Sequence, residues 1–272
     1  MIDNIKYATI SDIYVKDLMF YNENDIPNLI KFCKNNNITC LPGRDRKSCY
    51  KLIGHEFKSA KLSPDLVCNP TDLLFDSKTL DKFKSGNHDE VLFVIEKKTI
   101  KGVVHVTDYN NSFINFETYK LVYQFENLIR KYLIKKNETN DSLISWMKEE
   151  GQNNSHFEKR YKECMPDDYS KKEMEKNRRL NFNPFQTFFL NDLLYFLISK
   201  NYLSSKFNVN SVESIKIVRN WVAHNKDLAH LKFGGQFPIY QIKELERFVK
   251  HINIFFERYE ELDFSLKEMC LK

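Results

Sequence analysis

Hydrophobic residues in the later part of the chain repeat at the spacing of an α-helix. Val122, Phe125, Ile129 and Tyr132 follow one another at intervals of three or four residues. The same spacing returns near the end of the chain, at Ile242, Leu245, Val249, Ile252, Phe256 and Tyr259. Between the two series, nine of the thirteen residues of Phe185–Leu197 are apolar. This pattern predicts a bundle of amphipathic helices with 185–197 as its central helix.

The first part of the chain, to about residue 110, instead alternates short apolar runs with amphipathic segments. Asp25–Cys33 predicts a helix with Pro27 in its first turn, where proline is tolerated, and Ile38–Pro42 predicts a strand. A similar order returns at 66–68 (strand), 77–84 (helix), and 90–95 and 100–106 (strands). Lys97 and Lys98, between the last two runs, predict a hairpin turn. The predicted fold class is therefore α+β.

Polar residues divide the chain further. Those at 109–112 indicate a boundary between a domain at 1–112 and a helical domain at 113–272. A second polar stretch, at 136–183, predicts one or two surface helices inserted outside the packed bundle. It carries Lys176, Arg178 and Arg179, which form either a solvated face or a surface that contacts RNA.

Composition limits the class of protein. Hydrophobic residues make up 42% of the chain, which has only seven glycines and seven prolines, so we expect ordered cores with few long loops. The net charge of +5 is compatible with a polyanionic partner, and equally with a lysine-rich compositional bias. The six cysteines form no CxxC pair, and no apolar run is long enough to span a membrane. We therefore expect a cytoplasmic protein with reduced thiols.

The first part of the chain, over residues 10–110, resembles a tandem pair of CBS (cystathionine-β-synthase-type) repeats, a Bateman module. Val15–Met19 resembles the entry segment of the first repeat, Cys40–Pro42 its central strand, and Val94–Asp108 the closing hairpin of the second. The resemblance implies a pair of βαβ repeats that senses a ligand or dimerises. It also implies that Asp108 holds a nucleotide's ribose, while His105 replaces the family's phosphate-binding Thr or Ser. An adenine nucleotide is then a possible regulatory ligand.

The segment 212–225 carries the candidate chemistry. Its apolar helical stripe consists of Ile215, Val218 and Val222. Arg219, Asn220 and His224 lie off that stripe, and Asn220 and His224, four residues apart, share a helix face. Arg219 and His224 are five residues apart, about 140° around an ideal helix. A long arginine stem, a helix that ends near His224, or a second copy across a dimer would have to bring them together.

This cluster resembles the R-x(4–6)-H motif of HEPN (higher eukaryotes and prokaryotes nucleotide-binding) domains, over residues 117–262. Asn220 stands where active members carry a polar residue after the arginine. The resemblance implies an all-α bundle, a homodimer with a composite active site, and metal-independent cleavage of single-stranded RNA. Arg219 and Asn220 would bind and polarise the phosphate, and His224 would move the proton. Proteins of this family often act as toxins or in antiviral defence.

The residue types suit this chemistry, because imidazole changes charge near neutral pH and guanidinium gives bidentate donors to phosphate. No metal or other cofactor is required for it. Alternatives stay open: Arg219 as an ion-pair partner, Asn220 and His224 as capping residues, and Trp221 as core or dimer-interface packing or as a base-stacking residue. At the level of function, the alternative is a non-catalytic regulator that binds adenine nucleotides and whose helical domain only dimerises or binds a partner.

Overall fold

The computed structural model describes residues 3–36, 38–85, 91–164, 184–233 and 238–271. The chain forms two compact units, Met1–Tyr119 with Val218–Asn253, and Lys120–Ile217 with Ile254–Lys272. The predicted boundary after residue 112 lies close to the first of these divisions, whereas the later two have no counterpart in the sequence pattern. The division into two domains at 1–112 and 113–272 itself stays a prediction.

The first unit begins with two helices and a small sheet. The helices are α1 (Asp3–Lys6) and α2 (Ile26–Asn35), and Pro27 lies in the first turn of α2 as predicted. The strands are β1 (Cys40–Pro42), β2 (Cys49–Ile53) and β3 (Glu56–Ala60), which pair as an antiparallel meander. Strand β1 confirms the sequence prediction, whereas the β2–β3 hairpin was not predicted.

A second sheet has mixed topology. It contains β4 (Val67–Cys68), the crossover helix α3 (Ser77–Ser85), β5 (Leu92–Glu96) and β6 (Thr99–Val104). Strand β4 is parallel to β5, and β5 is antiparallel to β6. Lys97 and Lys98 form the turn with φ of 49° and 62°, the left-handed conformation that a tight hairpin needs. The predicted order of strand, helix and hairpin is confirmed. The CBS-type architecture stays a prediction.

The segment before α2 is joined to this second sheet. Val15 and Val103 exchange backbone hydrogen bonds of 2.8 and 3.1 Å. The neighbouring Gly102 makes this approach possible, because a Cβ there would lie 2.2 Å from Cδ2 of Tyr14 and 2.4 Å from the carbonyl oxygen of Val15.

Beyond β6 the described chain is mainly helical. Its helices are α4 (Ser112–Lys135), α5 (Asn140–Glu150), α6 (Ser155–Cys164), α7 (Leu190–Ser199), α8 (Val209–Ala223) and α9 (Lys243–Leu271). Strands β7 (His230–Phe233) and β8 (Pro238–Gln241) pair antiparallel between α8 and α9. The prediction of an all-α second half is wrong at this point, because two four-residue strands are too short to give a clear alternating pattern.

The two hydrophobic series of the sequence form buried helix faces, as predicted. All four residues of the first series, on α4, are buried, and so are all six of the second, beginning at Ile242 beside α9. In the second unit the ring of Phe125 packs against Phe255 and Tyr259, with centroids 4.9 and 5.7 Å apart.

Two details of the helical part differ from the sequence prediction. Within 136–164, α5 and α6 are helices as expected, but they are packed, since Leu143, Met147 and Phe157 are buried. The helix predicted at 185–197, α7, begins only at Leu190, because Phe185 lies in a preceding turn with a φ of 64° and Phe189, directly before the helix, is extended. No helix in the described ranges combines the length and apolar character needed to cross a bilayer.

Candidate functional site

Helix α8 carries the Arg219–His224 segment, and its inner face fixes the rotation of the helix. Val218 is fully buried, as predicted, whereas Val222 is only half-buried. Trp221, rather than Val222, is the second buried residue of this helix end. Its ring packs edge to face against Phe248, with centroids 5.5 Å apart. The guanidinium of Arg247 lies 5.7 Å from the Trp221 ring. Trp221 is therefore a core packing residue.

The end of α8 has the hydrogen bonds of a Schellman motif. Asn225 adopts a φ of 45°, its N–H donates to the carbonyl of Val222 at 3.1 Å, and the N–H of Lys226 donates to the carbonyl of Trp221 at 3.0 Å. His224 is the C-cap residue, and its own N–H donates to the carbonyl of Asn220 at 3.2 Å. The helix thus ends at His224. A helix end near His224 was one of the three arrangements by which Arg219 and His224 could approach each other.

The three candidate side chains are all exposed. Nη1 of Arg219 donates to Oδ1 of Asn220 at 3.1 Å, so the amide holds the guanidinium. The ring of His224 makes no hydrogen bond to either of them, so one chain pairs Arg219 with Asn220 but does not join them to His224. Within the described residues Arg219 forms no ion pair with an acidic residue, which weighs against the simple ion-pair alternative.

Asparagine side chains fix the turn that follows His224. Nδ2 of Asn115 donates to Oδ1 of Asn225 at 2.9 Å. Oδ1 of Asn110 accepts the N–H groups of Leu228 and Ala229 at 2.6 and 3.1 Å, and its Nδ2 donates to the carbonyl of Ala229 at 2.9 Å. Sequence reasoning used Asn110 only as a boundary marker and missed this positioning role. The one sequence signal for a turn here was the asparagine at position 225, because asparagine tolerates the left-handed conformation better than most residues. No sequence signal pointed to the contacts of Asn110.

His105 and Asp108, the predicted nucleotide-binding pair, lie together at the start of the 3-10 helix Val106–Asn110. The N–H of His105 donates to Oδ2 of Asp108 at 2.8 Å. Nδ1 of His105 accepts the N–H of Thr107 at 3.3 Å and lies 2.7 Å from the Thr107 hydroxyl. The pair therefore forms a reciprocal capping box, and any ligand there would compete with these bonds.

Burial shifts the ionisation of both groups toward their neutral forms. It lowers the pKa of the His105 imidazole from its ordinary 6.5 to about 4. It raises the pKa of the Asp108 carboxyl, although the hydrogen bond from the His105 N–H acts in the opposite direction. A neutral imidazole and a poorly solvated carboxyl suit a structural turn better than a binding site for a charged phosphate.

The predicted RNA-binding residues and the absence of a metal site are the last two predictions about the site. Lys176, Arg178 and Arg179 lie outside the described residues. Within the described ranges, no group of three or more His, Cys, Asp or Glu side chains is arranged to hold a metal ion.

Comparison with known proteins gives no further guide to the site. No family model matches the chain, and no similar curated protein and no similar solved structure was found. The candidate site is therefore supported by its geometry and by the residue pattern alone.

Proposed function

We propose that this protein is a metal-independent endoribonuclease that cleaves single-stranded RNA, and that Arg219, Asn220 and His224 carry the reaction. The observation that supports this most directly is the exposed Arg219–Asn220 pair next to a fixed helix end that presents His224. Catalytic side chains need supports that keep them in place before the substrate binds. The Schellman motif and the bonds of Asn110 and Asn115 supply such supports at this turn.

In the proposed reaction the 2′-oxygen of a ribose attacks the adjacent phosphorus atom. His224 takes the 2′-hydroxyl proton as general base, and Arg219, held by Asn220, donates to the non-bridging phosphate oxygens. The bond from phosphorus to the 5′-oxygen breaks, and that oxygen gains a proton. The products are a 2′,3′-cyclic phosphate and a 5′-hydroxyl.

The proton balance favours a pair of subunits. An imidazole that has just accepted the 2′ proton has to move it to the leaving oxygen on the other side of the phosphorus. A second His224 from another copy would serve as the general acid at that position. We therefore include in the proposal a homodimer in which two such segments face one cleft.

Labelled total RNA incubated with the purified protein tests the nuclease. We expect cleavage that EDTA leaves intact and that His224→Ala lowers by about 10²–10⁴-fold, the usual contribution of a positioned acid or base. His55→Ala is the matched control, since His55 is an exposed histidine in the β2–β3 turn. Cleavage that His224→Ala leaves unchanged, or that EDTA abolishes, would refute the proposal.

The dimer has its own test. Light scattering at micromolar concentration should give the mass of two chains. Mixing His224→Ala subunits with Arg219→Ala subunits should restore only part of the activity, because a mixed dimer regains one Arg219 and one His224 as general base but lacks the second His224 as general acid. A strictly monomeric protein that still cleaves RNA would contradict the shared cleft while leaving the nuclease intact.

A further inference from the structure

A cavity of about 480 Å³ lies in the first unit, and no residue of the Arg219–His224 segment lines it. It is lined by Met19, Phe20, Asn22, Asp25, Leu29, Arg44 and Arg46. We call it the Arg44–Arg46 pocket. Its volume falls in the range of sites that bind small molecules, about 300–1,000 Å³. Neither His105 nor Asp108 lines it, so it is separate from the predicted nucleotide site.

The two arginines belong to a turn that is ordered by its own hydrogen bonds. The N–H of Gly43 donates to the carbonyl of Ser48 at 2.9 Å. Oδ1 of Asp45 accepts the N–H of Lys47 at 2.9 Å, the N–H of Ser48 at 3.1 Å and the Ser48 hydroxyl at 2.8 Å. These bonds hold the pKa of the Asp45 carboxyl below its ordinary range. A turn fixed in this way loses little further conformational entropy when a ligand binds.

Arg46 is held in one orientation within that turn. It has a φ of 56°, an uncommon conformation for a residue with a side chain, and its N–H donates to the carbonyl of Gly43 at 2.9 Å. Its guanidinium lies 5.2 Å from the centre of the Phe20 ring, and Nη1 reaches the carbonyl of Ile100 at 3.4 Å. A guanidinium has five N–H donors, so most of them stay available to a ligand. Arg44 is exposed and forms no ion pair with any residue in the described ranges.

The other lining groups limit what the pocket can accept. Two guanidinium groups outnumber the one carboxylate, Asp25, which already accepts a hydrogen bond from Nδ2 of Asn28 at 2.8 Å. A planar carboxylate would be satisfied by one arginine fork, whereas a phosphate offers three terminal oxygens to donors from two directions. Met19, 39% exposed, and the Phe20 ring add an apolar wall.

We propose that the Arg44–Arg46 pocket binds a small phosphate monoester, with the phosphate on the two arginines and its apolar group against Met19 and Phe20. This site does not depend on the proposed ribonuclease activity. It makes the first unit a receptor for a phosphorylated small molecule.

Phenyl phosphate is a suitable probe, because it joins a phosphate to a ring of the size of the apolar wall. Calorimetry on the full chain should show saturable binding with a Kd of about 1 mM or below. Inorganic phosphate should bind more weakly, and phenol should show no saturation. Arg44→Gln should raise the Kd for phenyl phosphate by about tenfold or more, through loss of a charge-assisted contact.

Lys47→Gln is the matched control, since it removes one positive charge from the same turn without altering the pocket lining. Its Kd should stay within about twofold of the parent value, because exposed charges are screened by salt. Arg44 is exposed, so Arg44→Gln should leave the thermal midpoint unchanged. Absence of saturable binding up to about 10 mM phenyl phosphate, or an equal loss in Arg44→Gln and Lys47→Gln, would overturn the proposal.

Discussion

Two turns of the first unit place a histidine at a helix cap, and they use it in opposite ways. His224 ends α8 with an exposed ring that makes no hydrogen bond within the described residues, because the carbonyl groups of the helix end are bonded by backbone N–H groups. His105 precedes a 3-10 helix, its half-buried ring is bonded to Thr107, and Asp108 accepts the His105 N–H to complete the capping box. A polar side chain is available to a substrate only where the backbone is capped without it.

The largest expected change comes from removing the packing beneath the His224 turn. Trp221→Ala should lower the free energy of unfolding by about 3–5 kcal/mol, because the large ring is buried against Phe248 and its loss leaves a cavity. Chemical denaturation gives the value. Val209→Ala, at a valine of the same helix that is 51% exposed, should change it by less than about 0.5 kcal/mol. Equal effects would mean that Trp221 does not support the turn.

A conservative change beside His224 should affect activity rather than stability. Arg219→Lys should lower RNA cleavage by about 10²–10³-fold, since an ammonium keeps the charge but cannot make bidentate contacts to phosphate. The unfolding free energy should stay the same, because Arg219 is exposed. Arg247→Lys, at an arginine that lies over Trp221, is the control and should keep most of the activity. Full activity in Arg219→Lys would remove the guanidinium from the proposed reaction.

The His105 turn should instead report on pH. The folded state keeps His105 neutral down to about pH 4, whereas the unfolded chain protonates it near pH 6.5. The unfolded state therefore binds more protons between these values, and stability falls as the pH drops, by at most about 1.4 kcal/mol per pH unit.

His105→Asn removes this titration and keeps a side-chain acceptor for the Thr107 N–H. Its stability should fall less steeply than that of the parent protein between about pH 6.5 and pH 5. Burial also lowers the pKa of His251, but that residue is present in both proteins and cancels in the difference. The raised pKa of Asp108 acts in the opposite direction at lower pH. Parallel pH profiles would show that the His105 ring titrates alike in the folded and unfolded states.

The smallest expected effects are changes in stability at the His105 turn and at the His224 turn. Asp108→Ala should lower the free energy of unfolding by about 1 kcal/mol, because the His105 N–H loses its acceptor. The loss stays small because the variant no longer has to bury a carboxyl group. His224→Ala should cost less than about 0.5 kcal/mol, because its ring is exposed and unbonded. Thermal unfolding of both variants measures the difference. A larger loss in His224→Ala would identify that histidine as a structural cap.

The sequence predicted helices whose apolar spacing repeats over several helical turns, and hairpins whose two apolar runs are joined by a short polar turn. The spacing of Val122, Phe125, Ile129 and Tyr132 predicted α4, and the pair Lys97-Lys98 predicted the β5–β6 hairpin. The β2–β3 hairpin was missed because β3 exposes three of its five residues, so that no apolar alternation marks it. The packing of α5 and α6 was missed because Leu143, Met147 and Phe157 are few among polar neighbours.

The candidate site was predictable in its residue types but not in its supports. Arg219, Asn220 and His224 stand out because they lie off the apolar stripe of one helix. The bonds of Asn110 and Asn115 to the turn after His224 join residues more than a hundred positions apart, and no local pattern reports such contacts. The Arg44–Arg46 pocket was missed for the same reason, since the two segments that meet there carry no recognisable motif.

The long-range bonds of the first unit also set how late in synthesis this unit can be completed. Asn110 meets Ala229 across 119 residues, and Asn253 donates to the carbonyl of Phe75 across 178. A chain that emerges from the ribosome in order folds its earlier segments first. Trp221, beneath the Arg219–His224 turn, packs against Phe248, so this turn lacks part of its support until Phe248 has been made. Under the proposed ribonuclease function, the catalytic turn would therefore be completed only late in synthesis.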